Sequence, residues 1–229
     1  MAYRLLDLFC GVGGAAMGYH RAGFEIMGVD VRPQPDYPFN LVCMDAIQFC
    51  ADHGHEYDAI HASPPCQAYT GMRNLAGARQ CDLPEYPDLI DATREALQAV
   101  GRLWIIENVQ RSPLRTQFIL CGASFGLTHL ARHRHFESSH LFPAPPKCRH
   151  YQEAYTVAVY GSRPDGRRVS YRNHRLCRVA SSVCEAQALM GISWTADWRA
   201  LCEAIPPAYT EWIGRWMIKF LEIGDSHDA

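Results

Sequence analysis

The chain lacks any apolar run long enough to cross a bilayer, so no membrane span is expected. Its opening, Met1-Ala2-Tyr3-Arg4-Leu5-Leu6, has no charged stretch followed by an apolar one, and export is not expected either. A Cys-x-x-Cys pair is also missing. The 10 cysteines stand scattered at positions 10, 43, 50, 66, 81, 121, 148, 177, 184 and 202. In a chain of 229 residues that scatter argues for reduced thiols over a disulfide framework, hence for a cytoplasmic protein. Paired metal-ligand spacing is absent as well: His129, His133, His135, His140 and His150, with Cys148, do not form the ligand pairs of a structural zinc module. No metal is expected, and histidines in a basic face account for them. Finally, the G-x-G-x-x-G spacing of a nicotinamide site is missing, since the early glycines fall at 11, 13, 14 and 18.

What is present begins with enough apolar matter, 48% of residues, to bury one good core, perhaps with a small appendage. The net charge of −2 conceals an uneven distribution. Between Leu130 and Arg178 ten Lys or Arg face only three acids, at 137, 153 and 165. Tyr151, Tyr155, Tyr160 and Tyr171 are interleaved with them. A phosphate-backbone footprint needs such a concentration, although a solvated loop region would show the same charge count.

Around Cys66 the chain reads Ser63-Pro64-Pro65-Cys66-Gln67. Two prolines fix the backbone and donate no ladder hydrogen bond, so Cys66 sits on a rigid loop leaving the strand Tyr57 to Ala62. Such a loop suits a nucleophile, whereas a free cysteine taken alone is most often a buried small hydrophobe.

In chain order, Tyr3 to Phe9 reads as a strand, Gly11 to Gly14 as a turn, and Ala15 to Ala22 as a helix closed by Gly23. A second strand, Phe24 to Val29, ends in Asp30. Glycines allow a ligand close to the backbone, the helix start offers free N–H groups, and Asp30 can accept the two hydroxyls of a ribose, which fits a nucleoside-containing cofactor. A third strand, Leu41 to Met44, precedes Asp45 and a short helix. Gln67 to Tyr86 shows no apolar period and reads as a loop that can cover the nucleophile. Asp88 can cap a helix running to Val100. Leu103 to Ile106 is then a buried strand that places Glu107 on the same sheet edge as Cys66. A carboxylate after four apolar residues is either a site residue or a salt-bridged one. Alternating strands and helices predict an α/β fold with a Rossmann-like doubly wound, mostly parallel sheet.

With these residues in place the chain resembles the cytosine-C5 DNA methyltransferases. The resemblance rests on Asp7-Leu8-Phe9-Cys10-Gly11-Val12-Gly13-Gly14, Asp30, Asp45, Pro64-Pro65-Cys66-Gln67, Glu107-Asn108-Val109, Phe125-Gly126-Leu127, Arg132-His133-Arg134, Glu185 with Met190-Gly191, and Pro206-Pro207. It implies S-adenosylmethionine as cofactor and double-stranded DNA as partner. Cys66 is implied as the nucleophile on C6, Glu107 as the group holding N3 and the exocyclic amine, Arg134 as the contact to O2, and Arg132 as a brace for the loop carrying Cys66. The implied cofactor contacts are Asp7, Phe9, Gly11, Gly13, Gly14, Asp30 at the ribose, Asp45 at the adenine amine, Pro64, and the late pair Glu203 and Ile205.

Three family features differ here, the first being Asp30 where the ribose-binding acid is more often Glu. Leu130 stands where the family has glutamine in Gln-x-Arg-x-Arg, and Cys202-Glu203 replaces the usual Gly-Asn before the late prolines. Residues 1–136 and 181–229 are expected to form the catalytic domain. Residues 137–180 are expected to form a short recognition segment, with Tyr155 to Tyr160 and an Asp165-Gly166 turn making a β-hairpin. Gln67, Arg163, Arg167 and Arg168 are its expected DNA contacts. The alternatives are a catalytically silent relative, one that takes recognition from a partner chain, or the same chemistry on RNA or a nucleotide.

Overall fold

A computed structural model describes residues 2–69, 87–170 and 176–225. The first strand, β1 (Arg4–Leu8), lies in the middle of a seven-stranded sheet. Its alternation decides the layering: Leu5 faces one hydrophobic cluster, while Leu6 and Leu8 face the other. From β1 the chain winds through α1 (Gly14–Ala22) to β2 (Glu25–Asp30) and β3 (Asn40–Cys43), all parallel. It then crosses through α2 (Ala46–His53) to β4 (Ala59–Ala62), on the other side of β1, and through α3 (Ile90–Val100) to β5 (Leu103–Asn108). β6 (Phe118–Leu120) and β7 (Arg134–Ser138) complete the order β3-β2-β1-β4-β5-β7-β6, with β7 antiparallel to both neighbours.

The expected doubly wound, mostly parallel sheet is therefore present. Its strand order reverses between β1 and β4, and an open α/β sheet splits to make a ligand crevice at such a point.

Helix ends follow the glycines and acids of the sequence. Gly23, Gly101 and Gly191 each adopt the left-handed conformation after α1, α3 and α4 (Val183–Met190). Asp45 accepts from Gln48 N at 2.9 Å to start α2, and Ser182 accepts from Glu185 N at 3.1 Å to start α4. α3 begins later than expected: Asp88 still accepts from Ile90 N at 3.3 Å, but Leu89 occupies the cap.

A short α5 (Trp198–Glu203) leads to α6 (Pro207–Asp225), which covers α1. Ile213 and Met217 of α6 are fully buried with Tyr19 and Tyr209 against one face of the sheet, so the terminal aromatics serve the core. Leu97, Phe49 and Trp104 cover the other face. Each fully buried Leu or Ile contributes about 1.5–3 kcal/mol by burial.

The recognition segment departs from the expected hairpin. β8 (Tyr155–Ala158) and β9 (Arg168–Ser170) do not pair with each other; β10 (Leu176–Val179) lies between them, parallel to β8 and antiparallel to β9. The physical reason is burial. β10 turns Cys177 and Val179 inward, and Val157, Val159 and Ala180 join Ala186, Met190, Ile192 and Leu201 in one cluster. Leu130, which replaces the family's glutamine, bridges to Val157 and is buried in that cluster. The three-stranded sheet thus shares a core with α4 and α5. Most of the Gln67 to Tyr86 loop, and Tyr171, lie outside the described residues. No helix among the described residues is long and apolar enough to cross a membrane.

Candidate active site

A cleft of about 610 Å³ opens at the carboxyl ends of the parallel strands. The loop after β1 enters it under strain. Phe9 has φ 57, a left-handed conformation uncommon for a bulky residue. That strain is held by two backbone donors, Cys10 N to Val29 O at 3.1 Å and Gly11 N to Asp30 Oδ2 at 3.1 Å. Trp194 adds a third clamp by donating to Val12 O at 2.8 Å.

The three glycines of this turn differ in what they do. Gly11, at φ 49, lines the cleft, and nothing lies within 4 Å of where a Cβ would stand. Gly14 also lines the cleft, and there a Cβ would meet Ile205 O at 2.3 Å, so its absence lets the late strip 203–205 close in. Gly13 is different. A Cβ there would meet the Tyr37 ring at 2.8 Å, and Gly13 is not part of the cleft wall.

Asp7 likewise lies behind the cleft instead of lining it. It is fully buried, Tyr37 donates to its Oδ2 at 3.3 Å, and Oδ1 has no partner. Burial raises its carboxyl well above the ordinary range. Asp7 and Gly13, expected as cofactor contacts, are thus set against Tyr37 and are not among the residues lining the cleft.

Phe9, Gly11, Gly14, Asp30, Asp45, Pro64, Glu203 and Ile205 all line the cleft. Asp30 accepts Gly11 N through one oxygen and Arg32 N through the other at 3.0 Å, which leaves further lone pairs on both. Val31, 71% exposed at the rim, is an apolar side chain with an uncovered face.

Ser63, Pro65, Cys66, Gln67, Glu107 and Arg134 line the same cleft. Two residues not singled out from sequence hold the loop bearing Cys66. Asn108 Nδ2 donates to Pro64 O at 2.9 Å. His61, fully buried in β4, bridges Tyr19 Oη at 3.0 Å and Ser63 Oγ at 2.8 Å, and burial drops its pKa to about 3, so it stays neutral. The sequence signals were the Asn in Glu107-Asn108-Val109 and a histidine within an otherwise apolar strand.

Glu107 is buried at the end of β5 and stands opposite Phe136 of β7, which makes Arg134 its diagonal neighbour. Arg134 Nε lies 2.9 Å from Glu107 Oε1, yet that oxygen has no aligned hydrogen-bond donor. Glu107 is thus both a site residue and a salt-bridged one. Burial raises its carboxyl above the ordinary range, against the pull of Arg134 and Arg132. Burial also raises the Cys66 thiol, Glu107 adds to the effect, and the two arginines oppose it.

Arg132 does not brace the Cys66 loop. Its Nη1 donates to Val159 O at 3.0 Å and its Nη2 to Cys202 O at 2.5 Å and Ala204 O at 2.9 Å, while the buried Nε has no partner. It therefore ties the end of β8 to the late strip of the cleft.

The basic segment is also less exposed than its composition suggests. Arg132 is buried, Arg134 pairs with Glu107, and Arg178 pairs with Glu185. Tyr155 stacks on His129 at 4.0 Å and serves the fold. Arg163, Arg167 and Arg168 are exposed and do not reach the cleft; the first two lie 3.9 and 3.7 Å from Asp165.

No family model matches the chain. The type II methyltransferase M.HgiGI of Herpetosiphon aurantiacus is 31% identical over 125 residues, covering 48% of this chain and 94% of that protein. The chain belongs to the type II methyltransferases. Two other members, M1.HphI of Haemophilus parahaemolyticus and M.AquIA of Picosynechococcus, are 25% and 27% identical over 48% of this chain. The matched stretch spans only 33% and 50% of their lengths. In fold the chain is similar to DNMT2 of Spodoptera frugiperda and Dnmt2 methyltransferase of S. pombe, each with a TM-score of 0.59. Those likenesses cover 95% and 96% of this chain at 13% and 14% identity. The family resemblance drawn from the motifs is upheld, and with it S-adenosylmethionine as the cofactor of this chain. The cleft fits it: there is open space at Gly11, acceptor capacity on Asp30 and an uncovered apolar face on Val31.

Proposed function

We propose that this chain is a DNA cytosine-C5 methyltransferase acting on a base flipped out of the duplex. The observation that carries the proposal is that Cys66, on its proline-stiffened loop, and buried Glu107 with Arg134 line the same cleft as the glycine turn and Asp30.

Cytosine C5 is a poor nucleophile, and the arrangement supplies the remedy. The Cys66 thiolate adds to C6, and the electron pair displaced from the C5–C6 double bond makes C5 nucleophilic. Glu107 in its protonated form donates to N3 and its other oxygen accepts from the exocyclic amine, which stabilises charge moving onto the ring. Arg134, held against Glu107, faces O2. S-adenosylmethionine, when bound beside Phe9, Gly11 and Asp30, supplies an electrophilic methyl carbon. Loss of the C5 proton then expels Cys66 Sγ and restores the ring. Neither face of C6 can be reached in a stacked duplex, so the base must leave the helix at a cost of a few kcal/mol.

Residues 137–180 are assigned to target recognition in this proposal, with Gln67 at the flipped base and Arg163, Arg167 and Arg168 on the duplex. The reading is tested with duplex DNA carrying 5-fluorocytosine, which lacks the proton needed for release. Incubation with S-adenosylmethionine should give a covalent complex on denaturing gels that Cys66→Ala does not form. A trapped complex with that variant would identify another nucleophile. Parallel assays on RNA and free nucleotide that outpace duplex DNA would move the substrate class.

A further inference from the structure

Away from the cleft, four side chains from three stretches of sequence converge: Cys121 just past β6, His133 between the two arginines, and Cys148 and His150 in the segment approaching β8. Their ligand atoms all lie within 4.8 Å of one another. Cys121 Sγ is 3.6 Å from His150 Nδ1, and Cys148 Sγ is 3.5 Å from His133 Nε2. The two imidazoles meet edge to face, with centroids 5.0 Å apart and planes at 76°.

Zinc holds sulfur at about 2.3 Å and imidazole nitrogen at about 2.0–2.1 Å in tetrahedral geometry, which puts neighbouring sulfur and nitrogen ligands roughly 3.6 Å apart. Two of the S···N separations match that tetrahedral edge. A third, Cys148 Sγ to His150 Nδ1 at 2.7 Å, is shorter and would open on binding.

We propose that Cys121, His133, Cys148 and His150 bind one structural zinc ion. The donor set of two sulfurs and two imidazoles, without a carboxylate, suits zinc and disfavours magnesium or calcium, which take oxygen. Four protein ligands close the coordination shell, so the ion has no open position for chemistry. Binding releases a proton from each thiol, and two thiolates neutralise the ion's charge. The ion would join the turn after β6, the Arg132-His133-Arg134 strand start and the lead into the recognition segment. It therefore fixes the backbone from which Arg134 reaches Glu107. Residue spacing hides the site because 29 positions separate Cys121 from His150.

The test uses the full chain, expressed without a histidine tag in zinc-supplemented medium. Elemental analysis after dialysis against a weak chelator should find one zinc per chain. Replacement by cobalt should give the intense visible bands of a tetrahedral site with thiolate-to-cobalt charge transfer. Cys148→Ser and His150→Ala should each lose most of the metal, while Cys184→Ser, at an exposed cysteine elsewhere, should retain it. The cobalt spectrum of the unaltered chain decides the matter even where a variant fails to fold. Clearly substoichiometric metal after reconstitution, an octahedral cobalt spectrum, full metal retention by Cys148→Ser, or a Cys121–Cys148 disulfide in unreduced protein would each overturn the proposal. Metal content is read independently of methyl transfer, so a wrong assignment of substrate leaves this test intact.

Discussion

Asn108 donates from its side-chain amide to the carbonyl of Pro64 across 2.9 Å, which ties the strand end carrying Glu107 to the loop carrying Cys66. The two reacting groups therefore share one mount. Displacements on the order of 1 Å at a reacting centre can cost about 10²-fold in rate. Asn108→Ala should lower methyl transfer by roughly 10- to 100-fold on that scale while leaving S-adenosylmethionine affinity unchanged. Single-turnover rates beside calorimetric titration of the cofactor check this. A loss confined to cofactor binding would place Asn108 in a different role.

The pH dependence follows from Glu107 and Cys66 together. Both are raised above their ordinary ranges, and the proposed mechanism needs a thiolate beside a protonated carboxyl. That state holds one proton between the pair. Activity should rise with pH as the doubly protonated pair loses its first proton, at the raised Glu107 value, and fall when the last proton leaves at the raised Cys66 value. In Glu107→Gln the carboxylate that raises Cys66 is gone, so its thiolate should form at lower pH. Alkylation of the Cys66 peptide, followed by mass spectrometry against pH, measures the shift. An unmoved profile would show that the two groups do not interact.

Stability turns on another carboxylate. Glu137 receives Arg94 Nε at 2.6 Å, Arg94 Nη2 at 2.8 Å and Arg115 N at 2.8 Å, with both charged side chains buried. Removing one member of a buried pair leaves an uncompensated charge, so Glu137→Ala should cost about 3–5 kcal/mol in urea unfolding. Arg94→Met combined with Glu137→Leu should cost clearly less. Equal losses would mean that packing, not charge, dominates the site.

Target choice should be short or relaxed, roughly two to four base pairs, because a segment this small presents few base-reading contacts. Arg163, Arg167 and Arg168 stand exposed on it. Replacing Arg167 and Arg168 by alanine should weaken binding to all duplexes alike and flatten the salt dependence by roughly one unit of slope per lost phosphate contact. Bisulfite mapping in expressing cells gives the target length, and a longer unique site read by this chain alone would contradict the estimate.

The parts of the fold legible in sequence were those set by neighbouring residues. Glycines after α1, α3 and α4, the acids and serine that start helices, and the apolar run into Glu107 each determine structure within a few positions. Cys66, Asp30 and Glu107 were legible because their motifs are continuous. What escaped depends on partners far along the chain. Arg132 finds carbonyls 70 and 72 positions away, Gly13 is required by the Tyr37 ring, and β8 lies beside β10 where Ala180, just past β10, enters the same cluster as Val157. Nor could sequence show that one of the three glycines of the turn makes room for the Tyr37 ring.

Thr210 donates to the carbonyl of Ala15 at 2.8 Å across 195 positions, and a Cβ on Gly18 would strike Thr210 Oγ1 at 2.0 Å. α1 is thus shaped to receive a helix that leaves the ribosome 195 positions later. While residues 205 to 213 are still in the exit tunnel, the glycine face of α1 has no cover and the cleft lacks its wall at Ile205. Parallel strands already formed by then would frame only an open-sided trough. In translation order, therefore, the cleft is completed only after the segment carrying Ile205 has emerged.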